Sequence, residues 1–441
     1  MSSRLRLIIF LAFVLMFLIA APLLVLFTAG YRFDLSSGRI VHTAVLNMSS
    51  IPRNTTVIID GEPQADRTPS IIETVLPGEH EIVLEKADYL PWKQTLFFES
   101  RETTFATDVV LFLDESPSII QNLNVLSSHV SPAGDRLIYL TQESSWLEMW
   151  STEGNEGSTN LLMRLSYNSA NDYTLSFSVH GDYILLSRDH GPFHELTLAQ
   201  TNSGDPMTLP TGLTDVDAYW WDAQNDHILY TTVSGDTYKI DIETNTSQLL
   251  EADIELATSF EQTEVFLSEH NNRSVLSFLD EGIASIITYL PLGEYTFVRT
   301  PSPLIGLYDS QHSRLILIDT SNRDQPILIN EIAVRWQWSE NDQQLLYSSG
   351  YDLRLYQRDQ HQTHTLTRLS ETIDQLAWYT RGSVILYQVD GTTYALSISD
   401  PQPEHLALIS EAPGQIWIQD NGDTMLLMGT DGTIWQRELQ K

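Results

Sequence analysis

Between residues 334 and 348 the chain encodes a β-hairpin that cannot be stable alone. Val334, Trp336 and Trp338 alternate with Arg335 and Gln337, the period of a half-buried strand. A polar turn follows at 339–342, and Leu345, Leu346 and Tyr347 return as an apolar strand. A hairpin of this kind leaves apolar surface on both sides, so it must stack on copies of itself. Residues 131–135 lead into the apolar run 137–139, 179–182 into 184–186, and 221–226 into 228–230. A faded copy sets 260–263 before 265–267; later copies set 378–382 before 384–387 and 420–423 before 425–427. Asp135, Asp182 and Asp226 are 47 and 44 residues apart, and Asp342 and Asp423 are 81 apart, two steps of about 40.

A period near 40 with four short strands per repeat is the signature of a β-propeller. The long interval between Val265 and Leu345 holds apolar stretches at 304–307, 314–318 and 326–329, enough for one more unit. Residues 118–441 are therefore expected to form an all-β propeller of eight blades, seven being the alternative count. The pattern resembles the WD-type and TolB-like propellers, although no Trp-Asp ending recurs. The last unit has strands at 416–418, 424–428 and 433–437 and is one strand short. Residues 118–123 are strand-like and precede the first unit, so they are expected to complete the last blade and remove two free edges.

Residues 7–27 form an uninterrupted apolar run of 21, long enough to cross a hydrocarbon layer of roughly 30 Å as a helix. Arg4 and Arg6 precede it without an acidic residue, which predicts a cytoplasmic tail at 1–6 and the rest of the chain outside. The rival is a cleaved signal peptide. Its apolar core would be unusually long, Ala20 and Ala21 are followed by Pro22, and the later Thr28 and Ala29 follow the bulky Phe27, so a retained transmembrane helix is preferred.

From about residue 42 to 113 short strands and tight turns dominate. Thr56 to Ile59 run into Asp60-Gly61, an Asp-Gly turn, and further turns fall at Thr68-Pro69 and at Leu76, Pro77, Gly78, Glu79, His80. With Ser50-Ile51-Pro52 ahead of them and Ala87-Asp88-Tyr89 behind, these elements resemble the PEGA domain, an extracellular β-module. Two positions depart from that family: Asn54, Thr55 and Thr56 stand where a Gly-Ala pair is common, and Asp88 where Gly precedes the aromatic residue. The resemblance implies a surface scaffold or adhesion module in the cell envelope of a prokaryote, and brings no catalytic residues. Residues 114–117 read as a linker, so the propeller is expected to fold without the module.

Charge narrows the function. The chain has 24 Lys plus Arg against 58 Asp plus Glu, a formal charge of −34, which excludes a phosphate-binding face and argues against nucleic acid. It has no cysteine, so disulfides, thiol nucleophiles and thiolate metal sites are all excluded. No nucleophile elbow, P-loop or zinc-protease motif occurs; His80-Glu81 and His194-Glu195 lack a second histidine at helical spacing. Asp420, Asp423 and Asp431 lack EF-hand spacing and read as turn residues rather than calcium ligands. Trp220, Trp221, Trp336, Trp338, Trp378 and Trp417 fall in first strands of the repeat, where packing between blades is favoured over a sugar- or peptide-stacking surface. Asn47, Asn54, Asn245 and Asn272 begin N-x-S/T patterns, which matter only in a glycosylating host. No catalytic, cofactor-binding or metal residue is assigned, and no cofactor is expected. The expected protein is a single-pass, non-enzymatic binding or scaffold protein whose propeller meets an envelope protein or polysaccharide. The alternative is a propeller hydrolase or lyase acting on envelope glycans from the central channel.

Overall fold

The computed structural model describes residues 3–441 apart from 29, 35–37, 123–124, 133–135, 154–158, 251–253, 262, 281–282, 382, 399–405, 410–411, 420–421 and 430–431. Ala133, Gly134, Asp135, Gly382, Asp420, Asn421 and Asp431, on which parts of the repeat and calcium readings rest, lie outside the described residues, as does Leu123. Helix α1 (Ser3–Thr28) contains Pro22, and its stretch from Ile9 to Leu26 packs against no other part of the chain. It passes through Gly30 into a small hairpin of β1 (Tyr31–Asp34) and β2 (Arg39–His42).

The module that follows has strands β3 (Ala44–Ile51), β4 (Thr56–Ile59), β5 (Glu62–Arg67), β6 (Ser70–Val75), β7 (Gly78–Glu85), β8 (Trp92–Phe98) and β9 (Thr103–Val110). They make two sheets, β6-β3-β9 and β5-β4-β7-β8, in which β3 and β9 run parallel. Alternation sends Ala44, Leu46 and Met48 of β3 inward against Val57, Ile82, Leu84, Leu96 and Phe98 of the other sheet. Asp60 and Gly61 both have positive φ, at 50° and 82°, as a two-residue hairpin turn with right-handed strand twist requires. The two departures from the PEGA pattern sit at equally special positions. Asn54 has φ 63° and Asp88 φ 69°, a region that Asn and Asp tolerate best after glycine.

Strand β10 (Ser118–Asn122) and the rest of the chain form the propeller. Among the described residues it contains eight consecutive sheets, here called blades 1 to 8: residues 125–166, 172–216, 218–249, 256–290, 295–332, 335–368, 373–409 and 415–438. The first strands of blades 1 and 2, 4 and 5, 6 and 7, and 7 and 8 approach one another, and that of blade 1 (Val125–Val130) also meets that of blade 8 (Gln415–Ile418). Except in blade 4, where burial alternates along Thr263–His270, the second strands carry buried residues on both faces and serve two cores. In blade 6, Leu345 and Tyr347 pack toward blade 5, whereas Leu346 packs toward blade 7. The core between blades 8 and 1, with Trp417, Leu426 and Met428 against Leu137 and Tyr139, closes the ring. Strand β10 pairs antiparallel with Thr433–Glu438 and becomes the outer strand of blade 8, so the closure read from the sequence is present.

Residues 114–117 join a module and a propeller that pack on each other. Val110 and Phe112 of the module lie in one core with Tyr379, Val384 and Leu386 of blade 7 and Leu439. The rings of Phe112 and Tyr379 meet edge-on at 5.3 Å. Leu113 N donates to Leu439 O (3.0 Å), Arg437 Nη2 to Leu113 O (2.8 Å), and Gln440 Nε2 to Leu111 O. Burial pulls the buried Arg437 guanidinium below its ordinary pKa, while Asp114 and Glu115 pull it back up. The polar composition of 114–117 hides this, because the buried partners flank it and come from the far end of the chain.

Candidate functional site

The repeated aspartates are the first residues to test for chemistry, and the structure ties them into the ring. His180 of blade 2 donates its backbone N–H to Asp226 Oδ1 of blade 3 (3.0 Å) and pairs its Nδ1 with Oδ2. Arg299 of blade 5 pairs with Asp342 of blade 6 at 3.2 Å, and Arg381 of blade 7 with Asp423 of blade 8 at 2.7 Å. Burial opposes the charge on Asp226, but hydrogen bonds from Ser178 and His180 outweigh it and hold the carboxyl below its ordinary range. Of the three aspartates weighed for calcium only Asp423 is described, and it faces a guanidinium. Among the described residues no three His, Asp or Glu side chains converge as a metal site.

The two His-Glu pairs are also structural. His80 bridges Asp60 (2.5 Å) and the carbonyl of Leu76 (2.9 Å); His194 pairs with Asp189 (2.7 Å), and Glu195 with Arg188. The tryptophans latch blades together. Trp220 Nε1 donates forward to Ala257 O (2.9 Å), Trp221 Nε1 donates back to Ser176 Oγ (3.1 Å), and Trp378 Nε1 donates to Gln337 O (3.0 Å). Trp336 packs on Tyr308 of blade 5 with ring centroids 4.7 Å apart, and Trp338 and Trp417 are buried. Adjacent residues on one strand point to opposite faces, so Trp220 and Trp221 reach different neighbours. Three of the four N-x-S/T asparagines, Asn54, Asn245 and Asn272, have positive φ, which accounts for them as turn residues.

What the sequence did not reveal is a cleft of about 500 Å³ between the module and blade 7. One wall is formed by β8 and β9, each the edge strand of its sheet, with Trp92, Leu96, Phe97 and Phe105. The other is Val384, Ala395, Leu396 and Leu406 of blade 7. Charged groups are few here: Lys93, whose Nζ lies 2.7 Å from Glu81, and Asp108, which exchanges hydrogen bonds with Ser49. Asp108 has φ 58° and sits beside the register shift in the β3–β9 pairing, so the end of β9 bends at the cleft. Apolar walls with two open strand edges suit an extended chain, which adds backbone hydrogen bonds along an edge while its side chains enter apolar hollows. The local signals were Phe97 and Phe105, apolar at positions of β8 and β9 that face away from the module core.

Residues 43–111 match the PEGA domain family. No curated protein matches the chain. Similar solved structures include Sqt1 from Saccharomyces cerevisiae, at 10% identity and TM-score 0.47, covering 74% of this chain and 99% of that one. The uncharacterized protein lmo1340 from Listeria monocytogenes EGD-e matches at 10% identity and TM-score 0.44, over 68% of this chain and 100% of its own. Dipeptidyl peptidase 4 from Porphyromonas gingivalis matches at 9% identity and TM-score 0.47, over 70% of this chain and 56% of its own.

Proposed function

We propose that this protein is a membrane-anchored binding protein of the cell envelope. Helix α1 is retained in the membrane with Arg4 and Arg6 on the cytoplasmic side, and the PEGA module holds the propeller outside. The partner is an extended segment of an envelope protein, taken into the cleft between the module and blade 7. The observation that carries this reading is the pairing of two open strand edges with an apolar wall at a junction whose two sides share one core. The fixed junction supports it further, since a preformed groove loses less entropy on binding than a hinged one.

The test uses the detergent-solubilised full chain against arrays of extended peptides and of envelope glycans. Phe105→Asp, at an exposed position, should abolish peptide capture and leave the melting temperature within the range of surface changes. Glycan capture indifferent to Phe105 would move the site to the propeller, and reproducible turnover lost on changing a channel carboxylate would replace the binding reading with an enzyme.

A further inference from the structure

We infer that the hairpin β1–β2 is a lipid-contacting collar, in which Phe33 and Ile40 enter the head-group layer beside the emerging helix and fix how the module stands on the bilayer. The inference rests on the reading of α1 as a retained anchor and adds an orientation to it. Phe33 and Ile40 are directly opposite each other in the hairpin register, and they are 59% and 55% exposed. The strand period of two puts Tyr31 and His42 on the same face, with their rings edge-on at 5.1 Å. An apolar cross-strand pair left open, with tyrosine next to it and a membrane helix directly before it, is the composition of an interfacial element.

Position agrees with composition. From Gly30 to Phe33 the chain advances three residues, about 10 Å at most if it runs straight away from the membrane. The interfacial layer is itself on the order of 5–7 Å deep on each side, so any slant brings Phe33 and Ile40 into it. Gly30 makes the slant: its φ is 82°, and a Cβ there would lie 3.2 Å from the His42 ring. A positive φ at this point permits the chain to change direction between α1 and the hairpin.

The hairpin is also bound to the module. Thr43 donates both its backbone N–H (2.9 Å) and its hydroxyl (3.1 Å) to Gly30 O, Arg101 Nη2 donates to Tyr31 Oη (3.1 Å), and Ser100 Oγ to His42 O (3.1 Å). Because the module in turn shares a core with blade 7, a hairpin seated on lipid holds the whole outer part of the chain at one tilt.

The absence of cysteine makes the test direct. Single variants Phe33→Cys, Ile40→Cys and, as a reference, Ile283→Cys on the 72% exposed edge of blade 4, are spin-labelled in the full chain and placed in nanodiscs of phosphatidylcholine. The labels at 33 and 40 should be several-fold more accessible to dissolved oxygen than to a water-soluble nickel chelate, and the label at 283 should show the reverse. Unchanged melting of each variant shows that the fold is intact. Labels at 33 and 40 as open to the chelate as that at 283 would overturn the collar. Intact mass of the membrane-extracted chain separates this from the anchor reading. If the native chain begins after residue 29, the anchor fails, and the same labels on that mature chain are read with phosphatidylcholine vesicles. A shift to lipid accessibility then keeps the collar, and no shift removes it.

Discussion

Arg299 Nη2 and Asp342 Oδ1 lie 3.2 Å apart, although the two residues belong to successive blades. The same relation recurs between Arg381 and Asp423 and, with histidine as the cation, between His180 and Asp226. Asp226, Asp342 and Asp423 thus each tie a blade to the one before it, at the turn that leads into the buried second strand.

The tie between Arg381 and Asp423 should be real but small. Both side chains are about one-third exposed, at 32% and 34%, so solvent screens much of the attraction. A double-mutant cycle with Arg381→Ala and Asp423→Ala, read by thermal melting, should give a coupling of about 0.2–1 kcal/mol. Coupling near zero would leave the repeated aspartates as turn residues only.

Asp226 should contribute to acid sensitivity. Its folded carboxyl is depressed, so its stabilisation is present above the ordinary carboxyl range and is lost as pH falls through the folded value. Asp226→Asn should therefore destabilise the protein at pH 7 and flatten the loss of stability below about pH 4. Melting curves of the two proteins from pH 7 to pH 3 should converge; parallel curves would contradict the sign.

Closure by β10 rests on backbone pairing, because the Ile119 side chain is exposed. Ile119→Thr should be close to neutral. Ile119→Pro removes a donor and clamps φ within the pairing with Thr433–Glu438, and should cost about 3 kcal/mol. Equal melting temperatures for the two variants would show that the ring does not depend on this strand.

Phe112 joins the two parts of the chain. Its replacement by Ala empties a site packed on Tyr379 and should cost about 3–5 kcal/mol. Calorimetry should show one transition for the native protein and two for Phe112→Ala, as the module and propeller uncouple. Two transitions in the native protein would restore the independent-domain reading.

The propeller was legible because its signal is local and repeated. Trp336, Trp338, Leu345 and Tyr347 show a strand, a turn and a strand within a dozen residues, and six weaker copies share the pattern. Strand β10 was legible by subtraction, as the strand that the last unit lacks. The module was legible through its turns, and the positive φ of Asn54 and Asp88 accounts for its departures. The junction was not legible. Phe112, Tyr379 and Leu439 are each ordinary apolar residues just beyond the ends of strands, and nothing local says that they meet. The partners of the repeated aspartates escaped for the same reason, since each lies a whole blade away in sequence. The cleft is made of surfaces from two units, and the exposed Phe97 and Phe105 were its local traces.

Closure of the ring also sets a timetable. Arg437 and Leu113, joined by a hydrogen bond, are 324 positions apart, and β10 meets its partner strand across a comparable span. At a synthesis rate of about 5–20 residues per second, β10 waits on the order of 15–60 s for the strand that completes its blade. During that wait the first blades stand as an open arc with bare ends, the state in which propeller edges find wrong partners. On the proposed reading of α1 as an anchor, a nascent chain held to the membrane by that helix would keep the arc apart from its neighbours while the remaining blades emerge.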